Sequence, residues 1–264
     1  MKIGVFDSGL GSLVITKSFV SALPEYDYIY YGDTKNLPYG EKTPEQVLFY
    51  TINAIKFLIS QNCGLIIIAC NTATSVALRY IQQKFIPSYA PDIKVLGVVI
   101  PTVEEALSAH TKKVGVLATN ATTNSHIYRE EIYKLNPAVE VSEIPAPDLV
   151  PLIENNNFAA ADEVCRRYIS QFDNIDSLVL GCTHYPLLKD YFRRHLPKDI
   201  RVVSQDELMG AKLQNYLSRH IEIDITLSRN SELKVLVSSF NPHYQAVATK
   251  LFPSVTIEEV TSHA

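Results

Sequence analysis

Short, β-branched apolar runs alternate along the chain with longer stretches in which apolar residues recur every three or four positions. The runs Lys2 to Phe6, Tyr28 to Tyr31, Leu65 to Ala69, Val95 to Val99, Val114 to Ala118, Val139 to Glu143, Leu178 to Gly181, Arg201 to Val203 and Lys234 to Ser238 predict strands. Between them, Leu48, Ile52, Ile55 and Ile59 share one helical face, and Leu13 to Leu23, Asp162 to Phe172 and Asp206 to Leu217 keep the same period. Strands separated by helices predict an α/β fold with mostly parallel sheets flanked by helices. The run Leu65-Ile66-Ile67-Ile68 has no polar alternation, as expected of a strand covered on both faces.

The pattern also repeats. Ile3-Gly4-Val5-Phe6-Asp7-Ser8 is echoed by Val114-Gly115-Val116-Leu117-Ala118-Thr119 at an offset of 111, and Cys70 and Cys182 lie 112 apart. Two features in register predict two pseudo-symmetric α/β domains whose strand ends face one cleft. The first is expected to comprise residues 1–97 plus 207–264 and to carry Asp7 and Cys70. The second, 98–206, is expected to open near Gly97-Val98-Val99-Ile100-Pro101 and to carry Cys182 and His184.

Candidate chemistry concentrates where the repeat places its cysteines. Leu65 to Val76 (LIIIACNTATSV) and Leu178 to Leu188 (LVLGCTHYPLL) each run from a buried strand through a cysteine into polar residues that open a helix. Unpaired N–H groups at a helix N-terminus favour thiolate, so both thiols are expected to shift from a free value of roughly 8.5 toward neutrality. His184, two positions after Cys182, can orient or deprotonate that thiol or donate to an anion. Asn71 and Thr72 have helix capping as a bland alternative. Asp7-Ser8-Gly9-Leu10-Gly11-Ser12 suits a tight turn with exposed N–H groups but lacks the Gly-Lys-Ser/Thr ending of a nucleotide loop; its bland alternative is a helix cap at Asp7 or Ser8. In the loop after Tyr31, Pro38 and Gly40 bracket Tyr39. Cys63 and Cys165, in helical or loop surroundings, are expected to be buried apolar residues.

Composition removes several functions. The net charge of −4 with scattered Lys and Arg offers no basic face for nucleic acid. No apolar run approaches the roughly 20 residues that span a bilayer, and the N-terminal run meets Asp7 too early for a secretory signal, so a cytoplasmic protein without membrane contact is expected. Four cysteines without a C-x-x-C pair argue for reduced thiols and against both a metal site and a dithiol redox enzyme. What two opposed thiols suit is stereochemical inversion: one removes an α-proton, the other returns a proton to the opposite face.

ACNTAT around Cys70, GCTHYPLL around Cys182, FDSGLGS at Phe6 to Ser12 and YYGDTKNLPYGEK at Tyr30 to Lys42 resemble the glutamate racemase family over Lys2 to about Leu217. The resemblance implies cofactor-independent interconversion of L- and D-glutamate for peptidoglycan, with Cys70 acting on the D-enantiomer and Cys182 on the L-enantiomer. It implies Asp7 as support for Cys70, and His184 with Glu154 as support for Cys182. Implied substrate contacts are Asp7, Ser8, Tyr39, Gly40, Asn71, Thr72, Thr119, Thr122, Thr183 and His184. A homodimer is also implied, and activation by a cell-wall precursor, tied in some members to a long N-terminal extension, is not expected. The nearest rival is aspartate racemase of the same superfamily, whose members typically carry Glu where this chain has His184. An amino-acid binding protein without chemistry would have no use for two activated thiols.

Overall fold

Ten strands form two parallel sheets in the computed structural model, which describes residues 1–107, 110–155 and 157–260. Residues 108, 109 and 156 of the expected second domain, and 261–264 of the first, lie outside the described residues. The strands are β1 (Lys2–Asp7), β2 (Tyr28–Gly32), β3 (Cys63–Ile68), β4 (Lys94–Gly97), β5 (Lys113–Ala118), β6 (Glu140–Pro145), β7 (Ser177–Gly181), β8 (Arg201–Val203), β9 (Leu233–Val237) and β10 (Ile257–Glu259). The larger sheet has the order β10-β9-β2-β1-β3-β4 and the smaller β6-β5-β7-β8.

The repeat seen in two short echoes extends to topology. In each sheet the first strand in chain order lies between the second and the third, and the fourth follows outside the third. Thus β5 corresponds to β1 and β7 to β3, while β9 and β10 extend only the larger sheet. The chain reverses direction of travel across the sheet between β1 and β3, and again between β5 and β7. At such switch points the connections diverge and leave a crevice beyond the carboxyl ends of the strands.

Local chemistry accounts for the elements. β3 is buried along its whole length, which its unbroken apolar run predicts. The helix Pro44–Ser60 begins with a complete capping box between Thr43 and Gln46, with Pro44 in the first turn where a missing N–H costs nothing. β10 was not expected: in three residues, only Ile257 is buried, too little for any period to register. Its two glutamates are exposed on the outer strand, where charge discourages pairing with another sheet.

Several boundaries differ from expectation. The strand expected to reach Val99 stops at Gly97, and Val99 opens the helix Val99–Ala106, with Pro101 tolerated in its first turn. Neither Asp7 nor Ser8 caps a helix, because the next helix begins at Leu13 and is preceded by Ser12. Cys63 belongs to β3, not to a helix or loop, although it and Cys165 are buried as expected. The helix Gln205–Arg219 leaves the smaller sheet after β8 and packs on Leu13–Ala22 beside the larger one, so closely that a Cβ at Gly210 would lie 2.3 Å from Ser18 O. Among the described residues, no helix is long and apolar enough to cross a membrane.

Candidate active site

Both crevices open into one cavity, lined by Cys70 from the end of β3 and Cys182 from the end of β7. Ser8, Tyr39, Gly40, Asn71, Thr72, Thr119, Thr183 and His184 also line it, together with Glu41, Val150 and three prolines. Asp7, Thr122 and Glu154 stand one layer behind. No Lys or Arg is among the described lining residues. An anion there would rest on hydroxyls, on His184 and on the N-termini of the helices Asn71–Tyr80 and Asn120–Ser125.

The register of β1 and β3 explains the first half. Phe6 pairs with Ile68, and Phe6 O accepts from Ala69 N at 2.8 Å, so Asp7-Ser8 and Cys70 leave neighbouring strands together. Cys70 is the N-cap of Asn71–Tyr80; its Sγ accepts from Ala73 N at 3.4 Å, and its S–H donates to Ser8 Oγ at 3.6 Å. The side-chain partner of this thiol is therefore Ser8, which accepts its S–H, with Asp7 acting through its charge. The expected thiol activation is overturned here: burial, reinforced by the Asp7 carboxylate, pushes Cys70 up to about 12. Being 4% exposed, the sulfur loses more from desolvation of its thiolate than one helix N–H returns.

Asp7 is fully buried, and burial raises its carboxyl above the ordinary value against the pull of His184 and of Ser12. Ser12 N donates to Asp7 Oδ2 at 2.8 Å, and Tyr30 OH, 3.5 Å from the same oxygen, donates to Gly9 O at 2.7 Å. Tyr30 opens the family-like stretch Tyr30 to Lys42, but by its pattern it reads as one more strand residue.

The second half is built differently. Cys182 precedes only a short 3₁₀ turn, Tyr185–Leu188, not the α-helix N-terminus expected of it. Its partner is His184: Nδ1 lies 3.8 Å from Cys182 Sγ, while Nε2 lies 2.5 Å from Glu154 Oε1 at the end of the helix Leu149–Glu154. Burial opposes the imidazolium, but the hydrogen bonds to Cys182 and Glu154 outweigh it and hold His184 well above the ordinary histidine value.

Hydroxyls and amides complete the walls. Thr72, Thr119 and Thr122 form a triangle of hydroxyls 2.9 to 3.2 Å apart. Tyr39 turns its hydroxyl away from the cavity, donating to Asp33 Oδ2 at 2.7 Å, so it meets the cavity with its ring or backbone. The side chain of Asn71 is held by Gln205 and Tyr128, neither of which any sequence pattern singled out.

The model of the Asp/Glu/hydantoin racemase family matches residues 3–205, which contain both cysteines and their partners. The chain belongs to that family. The chain is 38% identical over 205 residues to the glutamate racemase of Streptococcus gordonii, covering 76% of this chain and 75% of that one. Among solved structures, glutamate racemase from Francisella tularensis in complex with D-glutamate is similar over 99% of this chain and 98% of its own, with a TM-score of 0.87 and 32% identity. The aspartate racemase of Picrophilus torridus, at 23% identity and a TM-score of 0.56 over 83% of this chain and 95% of its own, shares the fold alone.

Proposed function

We propose that this racemase-family chain interconverts L- and D-glutamate without a cofactor, in the cytoplasm and as a homodimer, supplying D-glutamate for peptidoglycan. The observation that carries the reading is the pair of thiols, Cys70 and Cys182, at corresponding strand ends of two like sheets and in one cavity. The proposed domain boundaries lie near residues 97 and 206, where the chain passes between the sheets. Nucleic acid and membrane have no part in this reading.

The two thiols have different surroundings. Cys70, at about 12, keeps its proton, whereas Cys182 faces the His184 imidazolium. Acting as the base, Cys182 takes the α-proton of L-glutamate, and the electron pair is left on the α-carbon. Cys70 S–H then gives its proton to the opposite face, and D-glutamate forms. The enzyme is left with Cys182 protonated and Cys70 as thiolate, and the reverse reaction or proton return resets it. Ser8 and Asp7 serve Cys70; His184, fixed by Glu154, serves Cys182. Thr72, Thr119 and Thr183, with the two helix N-termini, hold the carboxylates, Thr122 orients the Thr72 and Thr119 hydroxyls from behind, and Gly40 and Asn71 shape the remaining wall.

The deciding experiment is incubation of the purified protein, without pyridoxal phosphate, with L-glutamate or L-aspartate in deuterium oxide. Loss of optical rotation and deuterium uptake at the α-carbon are expected with glutamate. Retained rotation overturns the reading; equal turnover of aspartate overturns its substrate.

A further inference from the structure

Both crossings between the sheets meet at one buried cluster of hydrogen bonds. The first runs through Val99–Ala106, which supplies Thr102; the second runs from β8 into Gln205–Arg219, whose first residue is Gln205. Gln205 and Thr102 are fully buried, as is Tyr128 on the helix Ile127–Leu135. Gln205 and Tyr128 converge on Asn71, the neighbour of Cys70, and Thr102 holds Gln205.

The donors and acceptors permit one ordered arrangement. Thr102 Oγ1 gives its proton to Val98 O at 2.6 Å, leaving it to accept from Gln205 Nε2 at 3.0 Å. That orients the Gln205 amide, so its Oε1 accepts from Asn71 Nδ2 at 2.9 Å and its Nε2 donates to Asn71 Oδ1 at 2.8 Å. Tyr128 OH also donates to Asn71 Oδ1, at 2.7 Å. A backbone carbonyl at the first crossing thereby determines which way the Asn71 amide faces. Asn71 Nδ2 retains a second N–H, and Asn71 lines the cavity.

We propose that Gln205 is a positioning residue for the racemisation: with Thr102 and Tyr128 it locks the Asn71 amide so that its free N–H serves the substrate. The same lock ties both interdomain crossings to the residue beside Cys70. The inference deepens the glutamate reading and rests on it for its kinetic test. Gln205 needs no contact with substrate, since its effect passes through Asn71.

The test is a double-mutant cycle in the full chain. Gln205→Met keeps length and burial but removes every hydrogen bond, and should raise KM for both enantiomers about tenfold with a smaller change in kcat, because a buried amide loses its partner. In an Asn71→Ala background, Gln205→Met should then change KM by less than about twofold. Equal effects in both backgrounds, or an unchanged KM, overturn the proposal; a lowered melting temperature with kinetic constants intact would mark Gln205 as merely structural. If Gln205→Met fails to fold, Tyr128→Phe, which deletes one hydroxyl, is carried through the same cycle. Side-chain amide NMR separates this inference from the glutamate reading. In the unmodified protein the Asn71 and Gln205 amide protons should exchange slowly with solvent, and Gln205→Met should release Asn71. An unmodified protein that is inactive on glutamate yet has protected amides counts against the reading alone, whereas fast-exchanging amides count against the lock.

Discussion

Thr183 Oγ1 lies 3.3 and 3.4 Å from the two carboxylate oxygens of Asp7, joining the residue after Cys182 to the acid that leaves β1 beside Cys70. Each thiol's surroundings therefore reach into the other's half of the site. A carboxylate deprived of water in this way is costly, which is why burial lifts Asp7 above its ordinary value.

Asp7→Asn should separate stability from catalysis. The buried carboxyl is raised on folding, so wild-type stability falls as pH rises from the unfolded value of about 3.9 through the raised folded one. An amide has no charge to bury and its oxygen can still accept from Ser12 N. The variant should therefore gain stability over wild type as pH rises through that window, while kcat drops by about a hundredfold or more. Urea midpoints across pH, read beside polarimetric rates, check both parts; a variant less stable at neutral pH would contradict the first.

His184→Gln carries the opposite pH signature. Hydrogen bonds to Cys182 and Glu154 raise the histidine on folding despite its burial. Its contribution to stability is complete below the unfolded value of about 6.5 and fades as pH climbs through the folded one. The gap in urea midpoint between wild type and variant should be widest in the acidic range and narrow on the alkaline side. A gap that widens with pH would show that the imidazolium is not the stabilised form.

Enantiomers have equal free energies, so whatever the asymmetry of the two thiols, kcat/KM must match in the two directions. His184→Gln should lower kcat/KM by about a hundredfold or more, to the same value for L- and D-glutamate. The asymmetry should instead appear in kcat and KM taken singly, with one direction losing kcat and the other shifting KM. Progress curves begun from each enantiomer measure this; identical changes in both constants would indicate that His184 serves the two thiols alike.

Cys70→Ser and Cys182→Ser should each abolish racemisation, by about a thousandfold or more, because a serine hydroxyl is far too weak an acid to replace either partner. Both sulfurs are buried and nearly isosteric with oxygen, so melting temperatures should change little. Circular dichroism of glutamate over time, with a thermal melt of each variant, provides the check.

Gly40→Ala tests the fit between the two lobes. A Cβ at Gly40 would stand 2.7 Å from Thr119 Cβ, closer than real side chains come, and Thr119 follows β5 of the smaller sheet. The added methyl should wedge the cavity wall outward, raising KM several-fold. A KM equal to wild type would mean that the loop carrying Tyr39 yields freely.

Strands, helices and the internal repeat were legible in the chain because they depend on local period: unbroken apolar runs such as Leu65 to Ile68 admit few other folds. Cys70 and Cys182 were legible for the same reason, each lying where a buried run ends. Tertiary structure alone decided the protonation of Cys70, since the helix end that lowers a thiol is local while the burial that raises it comes from side chains distant in sequence, such as Phe6 and Tyr31. It alone brought Gln205, Tyr128 and Thr102 to Asn71, because a hydrogen bond between residues 134 positions apart leaves no trace in periodicity. Sequence determined which atoms stand at the strand ends; packing decided their charge, their orientation and what they face.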